Sequence, residues 1–323
     1  MSFGEARVSF ARTEPDVPSM MRDMLIALAA LLVLPVVRTG LRPLVMAGLS
    51  VGTAVACTVL FRLVRRQPLL LSEGSAAVTG MLTALLLPLN APLWLPCAAA
   101  AFAVLAAKEP FGPFGRNPFN PAAAGIAFVT LCWPEKVFTF YDPAKPYAFL
   151  PLGPSFYQTA QSSAAVLRSG LKPETVPFDL LWGTQAGALG TTALLVIGAC
   201  GLFLFARRAA KPEITLAFLA AAALGAALFP RIACSPLTSV KYELLTGSLL
   251  FCAVFLATDP VTSPRTVPGR CVYGALAGAL VLLFRWFGAY EQGECFALIA
   301  ANAAVPLIDE AACRIRGLGG RNR

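Results

Sequence analysis

The sequence predicts an all-α integral membrane protein of about ten transmembrane helices, arranged as two inverted five-helix repeats with broken half-helices. Three observations lead there. The chain is 57% hydrophobic and only 13% charged, about half the ~25% charge of a soluble domain. Its mean hydropathy is +0.70 over the full length, so its apolar residues are not one core inside a polar shell. Those residues also fall into separate runs, cut by charges and by Pro/Gly clusters.

In chain order the runs are 23–37, 43–61, 75–88, 93–107, 119–133, 187–206, 213–229, 243–258, 271–288 and 294–310. Residues 1–20 hold Glu5, Glu14 and Asp16, and the first run starts only near Met24. They do not read as a secretory signal peptide. Several runs are shorter than the ~20 residues that cross a bilayer straight. Leu85-Leu86-Leu87-Pro88 and Ala257-Thr258-Asp259-Pro260 read as helices stopped at membrane depth. Lipid cannot satisfy freed N–H and C=O groups, so such breaks belong in a protein-lined site. Lys and Arg concentrate in alternate segments, which favours both termini on the cytoplasmic side.

The chain divides into a membrane half at 1–133, a long extracytoplasmic loop at 134–183 and a second membrane half at 184–323. The loop is rich in Pro, Tyr, Phe, Ser and Thr. A connection this long in a tight membrane protein is functional or disordered, and its aromatics argue against disorder. The two halves echo each other. Gly74-Ser75-Ala76-Ala77-Val78-Thr79-Gly80 opens a run in the first, Leu245-Thr246-Gly247-Ser248 opens one in the second, and each run closes on a Pro motif. An odd number of spans per half would insert the second copy upside down, with the working site at the repeat interface.

Composition also excludes functions. Histidine is absent, which removes His-ligated haem, His-containing zinc sites and Ser-His or Cys-His nucleophile pairs. The nine cysteines form no Cys-x-x-Cys pair and sit mostly inside apolar runs, as packing residues do. The net charge of +9 lies in short clusters between apolar runs. That is the pattern of cytoplasmic loops on a lipid bilayer, with no nucleic-acid partner expected.

Three motifs carry chemistry. Gly74 to Leu82 combines small residues with the hydroxyls of Ser75 and Thr79, which suits either close helix packing or polar atoms inside a membrane. Asn117-Pro118-Phe119-Asn120-Pro121 precedes an apolar run, where Asn120 can cap a helix whose N-terminus can hold a phosphate or carboxylate. An ordinary cap explains it equally well. Ala257-Thr258-Asp259-Pro260 ends an apolar run on a carboxylate, making Asp259 either an ion or proton ligand or a residue reaching back to the interface. Gly274-x-x-x-Gly278 offers a packing face, within the chain or toward a neighbour.

These motifs, in this order, resemble the family of Rnf complex D subunits and of B subunits of sodium-pumping NADH:quinone reductases. The segments GSAAVTGMLTALLLP, NPFNPA, FLATDPVTSP and FRWFGAYEQGECFALIAANAAVPLID all fit, as does Leu181-Trp182-Gly183. The resemblance covers residues 20–312, and the length is nearer the Rnf members. It implies a component of an ion-translocating ferredoxin:NAD oxidoreductase in the bacterial cytoplasmic (inner) membrane. The implied partners are the other membrane, iron–sulfur and flavin subunits and an FMN transferase.

The resemblance also implies FMN esterified through its phosphate in the outer loop, and it leaves room for a second, non-covalent flavin. Aligned on Leu167-Arg168-Ser169-Gly170, the attachment falls on Ser162, with Thr159 second. Here Ser replaces the family's Thr, Gln161 replaces an Ala, and the upstream Asp is missing. Asn117, Asn120 and Thr79 are further candidate cofactor-binding residues, and Asp259, Thr258 and Thr79 are the candidates to line an ion path. Phe156, Tyr157 and Trp182 can shield a flavin ring or anchor the interface. The competing functions are a cofactor-free transporter or channel on the same inverted repeat, and a scaffold component that has lost its flavin.

Overall fold

The computed structural model describes residues 16–67, 74–112, 115–143, 159–174 and 176–315. Phe156 and Tyr157, expected beside a flavin, lie outside the described residues, as do Ser72 and Glu73 ahead of the first motif.

Each of the ten apolar runs contains helix. Helix α1 spans Val17–Thr39, with Pro18 in its first turn, where no N–H partner is needed, and Arg38 in its last. Helix α2 spans Arg42–Val64. Helices α3 (Ser75–Leu85), α4 (Trp94–Leu105) and α5 (Pro121–Cys132) complete the first half. The described part of segment 134–183 holds α6 (Pro134–Val137), α7 (Ser163–Arg168), α8 (Pro177–Trp182) and a two-stranded antiparallel hairpin. In that hairpin, β1 (Phe140–Tyr141) faces β2 (Thr159–Ala160), with Tyr141 opposite Thr159.

The second half holds α9 (Leu194–Ala206), α10 (Pro212–Leu228), α11 (Pro236–Leu245), α12 (Leu249–Phe251), α13 (Val267–Phe287) and α14 (Glu294–Ile315). Helix α12 continues as a π-helical turn over Cys252–Leu256.

Among the described residues, four helices are long and apolar enough to cross a membrane: α1, α2, α13 and α14 over Glu294–Ala312. The pair α11 and α12 makes a fifth candidate, bent by 69° at its break. Ten complete crossings therefore do not follow from helix length. Helix α3 has 11 residues, which at ~1.5 Å per residue reaches about 16 Å. The run at 187–206 becomes helical only at Leu194, and the run at 243–258 breaks at Thr246–Ser248.

The breaks are closed by protein. The carbonyls of Leu85 and Leu87, freed where α3 stops, accept from the N–H groups of Gly190 (2.7 Å) and Leu189 (3.1 Å). This explains why residues before Leu194 are not helical: they form the wedge that seals α3. A Cβ on Gly190 would stand 2.8 Å from the Leu85 Cβ, so only glycine lets the backbones approach. In the second half, Leu256 O accepts from Asn120 Nδ2 at 3.1 Å, and Ala253 O accepts from Thr215 Oγ1 at 2.8 Å. The Gly274-x-x-x-Gly278 face is used inside the chain. Added Cβ atoms there would meet the Ile214 and Phe218 carbonyls of α10 at 2.5 and 2.3 Å.

Packing repeats between the halves. Helix α2 lies on α3 and α4, and α4 lies on α5. Helix α10 likewise lies on α11 and α13, and α13 lies on α14. Helices α1 and α9 pair across the halves, as do α5 and α14. The core runs through this seam, with Leu28, Leu85, Phe251, Phe255 and Ala301 fully buried.

Candidate functional site

A cleft with about 50 Å³ of water-accessible space opens at the end of the seam where α3 and α5 begin. Residues Met21 and Met24 of α1 and Phe255 of the π turn form its apolar wall. Ser75, Thr79, Lys108, Asn117, Asn120 and Asp259 supply its polar atoms. Four of the sequence-predicted residues, Thr79, Asn117, Asn120 and Asp259, thus meet at one place from three separate parts of the chain.

Their states differ. Asn120 is spent on structure: its Oδ1 caps α5 at Ala123 N (3.2 Å), its Nδ2 donates to Leu256 O, and its own N–H reaches Asn302 Oδ1 (3.1 Å). Thr79 donates back to the Ser75 carbonyl at 3.0 Å, as a buried helical Thr does. Asn117 keeps a buried Oδ1 with no hydrogen-bond partner. Lys108 is buried and donates to Ser75 Oγ at 3.0 Å. Asp259 accepts from Val261 N–H and Thr262 Oγ1, both at 3.2 Å. Those two bonds come from its own turn, so the carboxylate is held in place at the cleft wall by local backbone and hydroxyl donors. Thr258 is fully buried, bonded to the Val254 carbonyl, and does not line the cleft.

The segment between the two halves is a second locality. Ser162 is buried: its Oγ caps α7 by accepting from Ala165 N at 3.0 Å and donates to Glu291 Oε2 at 2.6 Å. Thr159 is exposed on the hairpin. Trp182 is exposed and stacks at 6.3 Å on Phe178 of the same short helix. Next to this region lies a buried charge network. Arg285 donates to Glu294 Oε1 (2.6 Å), to Glu243 Oε2 (3.3 Å) and to the carbonyls of Glu243 and Thr246. Arg231 approaches Glu243 from the other side at 3.3 Å.

A family model described as NQR2, RnfD, RnfE matches residues 6–316, nearly the whole chain. The chain belongs to this family. A protein of Sodalis glossinidius, named as the D subunit of an ion-translocating oxidoreductase complex, is 35% identical over 288 residues, which is 80% of this chain and 82% of that protein. Proteins of the same name from Cronobacter sakazakii and Escherichia fergusonii are 35% and 33% identical over 291 residues. Each of those alignments spans 81% of this chain and 83% of the relative.

Within this family member, the sequence points to four polar residues of the cleft and not to its cation. Read along the chain, Lys108 is only a loop charge. Its signal is that a single Lys ends the apolar run Ala98–Ala107. Asn302 and Tyr273, which bond to each other at 2.8 Å behind Asn120, carry no signal beyond being polar residues in apolar helices. Ser162 and Thr159 are not brought to the cleft; they stand at the other end of the seam.

Proposed function

We propose that this chain is the membrane-embedded D subunit of an ion-translocating ferredoxin:NAD oxidoreductase of the Rnf type, working in the cytoplasmic membrane beside the other subunits of that complex. The observation that carries the reading is the cleft, where a buried Lys108, an unpartnered Asn117 Oδ1 and a carboxylate converge between the two halves of a chain of this family. Flavin accepts one or two electrons, the chemistry that a chain without histidine or Cys-x-x-Cys lacks.

The lining of the cleft offers a flavin both polar and apolar contacts without a covalent bond. Lys108 is a donor, Asn117 an acceptor, and Met21, Met24 and Phe255 give apolar walls. Asp259, Thr258 and Thr79 stand on the ion route in this reading.

For the FMN phosphoester, Ser162 and Thr159 remain the two hydroxyls. Thr159 is exposed and fits the attachment as it stands. Ser162 fits only when the first turn of α7 opens, because its hydroxyl is buried and bonded on both sides. That burial favours a second reading, a family member whose outer segment serves assembly without a covalent flavin.

The membrane arrangement completes the proposal: ten membrane segments, six of them shortened or bent, in two inverted repeats with both termini cytoplasmic. The repeated packing of α2–α5 and α10–α14 supports it. So does the distribution of tryptophan. Trp94 and Trp133 meet at 4.9 Å, Trp182 O accepts from Arg38 at the end of α1, and Trp286 lies in the last turn of α13. The four tryptophans of the chain thus share the end proposed as external. Buried Arg62 and Lys108 and the Asp23–Arg207 pair mark the other end.

The deciding experiment is co-expression with the FMN transferase, denaturing-gel ultraviolet fluorescence, and mass spectrometry of peptides from 134–183. An FMN adduct at Thr159 or Ser162, lost on substitution by Ala, supports the redox role and fixes the site. With no adduct and an active transferase, flavin that co-purifies and is lost in Asn117→Ala leaves the cleft as the flavin site. No flavin of either kind removes the redox role.

A further inference from the structure

The outer segment is fastened at two points to the turn between α13 and α14. Arg168, the last residue of α7, donates to the carbonyls of Gly288 (3.0 Å) and Ala289 (2.6 Å). Ser162, its cap, donates to Glu291 Oε2 at 2.6 Å. The other carboxylate oxygen, Glu291 Oε1, is buried and has no hydrogen-bond partner.

The charged groups facing Glu291 spend their hydrogen bonds on other partners or carry the same sign. Arg168 comes from α7 with its donors on backbone carbonyls, Arg285 comes from α13 already bonded to Glu243 and Glu294, and Glu294 of α14 is a like charge. An ionised carboxylate with one bare buried oxygen is costly, and a neutral carboxyl is far less so. A proton on Oε1 removes the charge and still leaves Oε2 to accept from Ser162.

We propose that Glu291 is a proton-binding latch for the outer segment: carrying a proton on Oε1 it holds Ser162 and keeps α7 seated on the turn 288–293, and on releasing that proton to the outer solvent it lets α7 lift. The step balances simply, since a carboxylate and one solvent proton give the neutral acid and no other bond is made beyond the Ser162 hydrogen bond. The latch needs no flavin, so it stands apart from the cofactor reading. It does decide when the Ser162 hydroxyl faces solvent.

Burial, the largest influence, pushes the seated Glu291 carboxyl up to about 7, and Glu294 adds to this. The Ser162 hydrogen bond, Arg168 and Arg285 pull it down. The lifted carboxyl returns to the ordinary ~4.3 of an exposed Glu. The seated form therefore binds the proton more tightly. Seating weakens as pH rises from about 4 to about 7 and is level above that.

Hydrogen exchange of the amides of residues 165–171, measured on the full chain in lipid nanodiscs and corrected for intrinsic rates, tests this. In the wild type, protection should fall on the order of ten- to a hundredfold between pH 5 and pH 8. In Glu291→Gln, neutral at every pH, it should stay high and flat. Flat wild-type protection overturns the latch, whatever the variant does. A wild-type fall with the same midpoint in Glu291→Gln also overturns it, because another group would then be titrating. Should Glu291→Gln fail to insert, Ser162→Ala serves: low protection at all pH, with the fall lost, supports the latch, and an unchanged fall overturns it.

Discussion

The side-chain amide of Asn120 donates to the Leu256 carbonyl across 3.1 Å, joining the start of α5 to the end of the broken span in the opposite half. The same side chain caps α5, so one residue satisfies backbone groups on both sides of the seam. Asn120→Ala should lower stability by about 1–3 kcal/mol, the cost of a lost cap plus a buried unpaired carbonyl. Asn120→Asp keeps the cap but turns an acceptor toward Leu256 O, and should do no better. Thermal unfolding in detergent measures both, and an unchanged midpoint for Asn120→Ala would refute the account.

Gly190 carries a similar junction from the other side. Its N–H seals Leu85 O, and an added Cβ would sit 2.8 Å from the Leu85 Cβ and 3.1 Å from the Phe251 ring. Gly190→Ala should cost roughly 1–3 kcal/mol through overpacking. Gly198, whose Cβ direction is open, is the control: Gly198→Ala should leave the unfolding midpoint unchanged or slightly raised.

Arg285 is 2% exposed and is the shared partner of Glu243 and Glu294. Arg285→Met strands the buried Glu294 carboxylate, leaves Glu243 to Arg231 and the Trp286 N–H, and should destabilise by about 3–5 kcal/mol. Adding Glu294→Leu removes the stranded charge and should recover part of that loss. A double variant as unstable as the single one would mean that the Arg285–Glu294 pair contributes through packing alone.

Asp259 tests the ion route. Its carboxylate lines the cleft and is held by Val261 N–H and Thr262 Oγ1. Asp259→Asn keeps the size and the acceptor oxygen but removes the charge that a cation or proton needs. Ferredoxin-driven ion uptake by vesicles holding the complex should fall at least tenfold in this variant while subunit assembly is retained, a loss of about 1.4 kcal/mol or more. Full uptake in Asp259→Asn would take the residue off the route.

Lys108 tests the cleft. Lys108→Met removes the donor that reaches Ser75 Oγ and leaves the apolar stem volume in place. Flavin retained through purification should fall at least tenfold if the ammonium holds it, roughly the 1.4 kcal/mol of one charged hydrogen bond. Retention equal to wild type would put the ligand elsewhere.

What is legible in the sequence follows from what each signal depends on. The apolar runs are readable because burial in lipid needs only local composition, and each of them contains helix. Breaks at Pro88 and at Asp259-Pro260 are readable because proline and a carboxylate act on the backbone where they stand. The exact stops are not. Helix α3 ends at Leu85 because Gly190, more than a hundred positions away, supplies the N–H its carbonyl needs. The kink between α11 and α12 turns on Gly247, at φ +68, in a stretch that reads as continuous apolar helix.

The candidate site divides the same way. Membrane class, helical content and family motifs lie in the sequence alone, because composition and short ordered segments survive without coordinates. Only the tertiary structure decided that Thr79, Asn117, Asn120 and Asp259 share one cleft with Lys108, that Thr258 stands behind it, and that Ser162 is buried against Glu291. The physical reason is that a hydroxyl or amide reads identically whether its hydrogen bonds are spent on the backbone or left open. That distinction is made by partners 100 or more residues away, which no local pattern encodes.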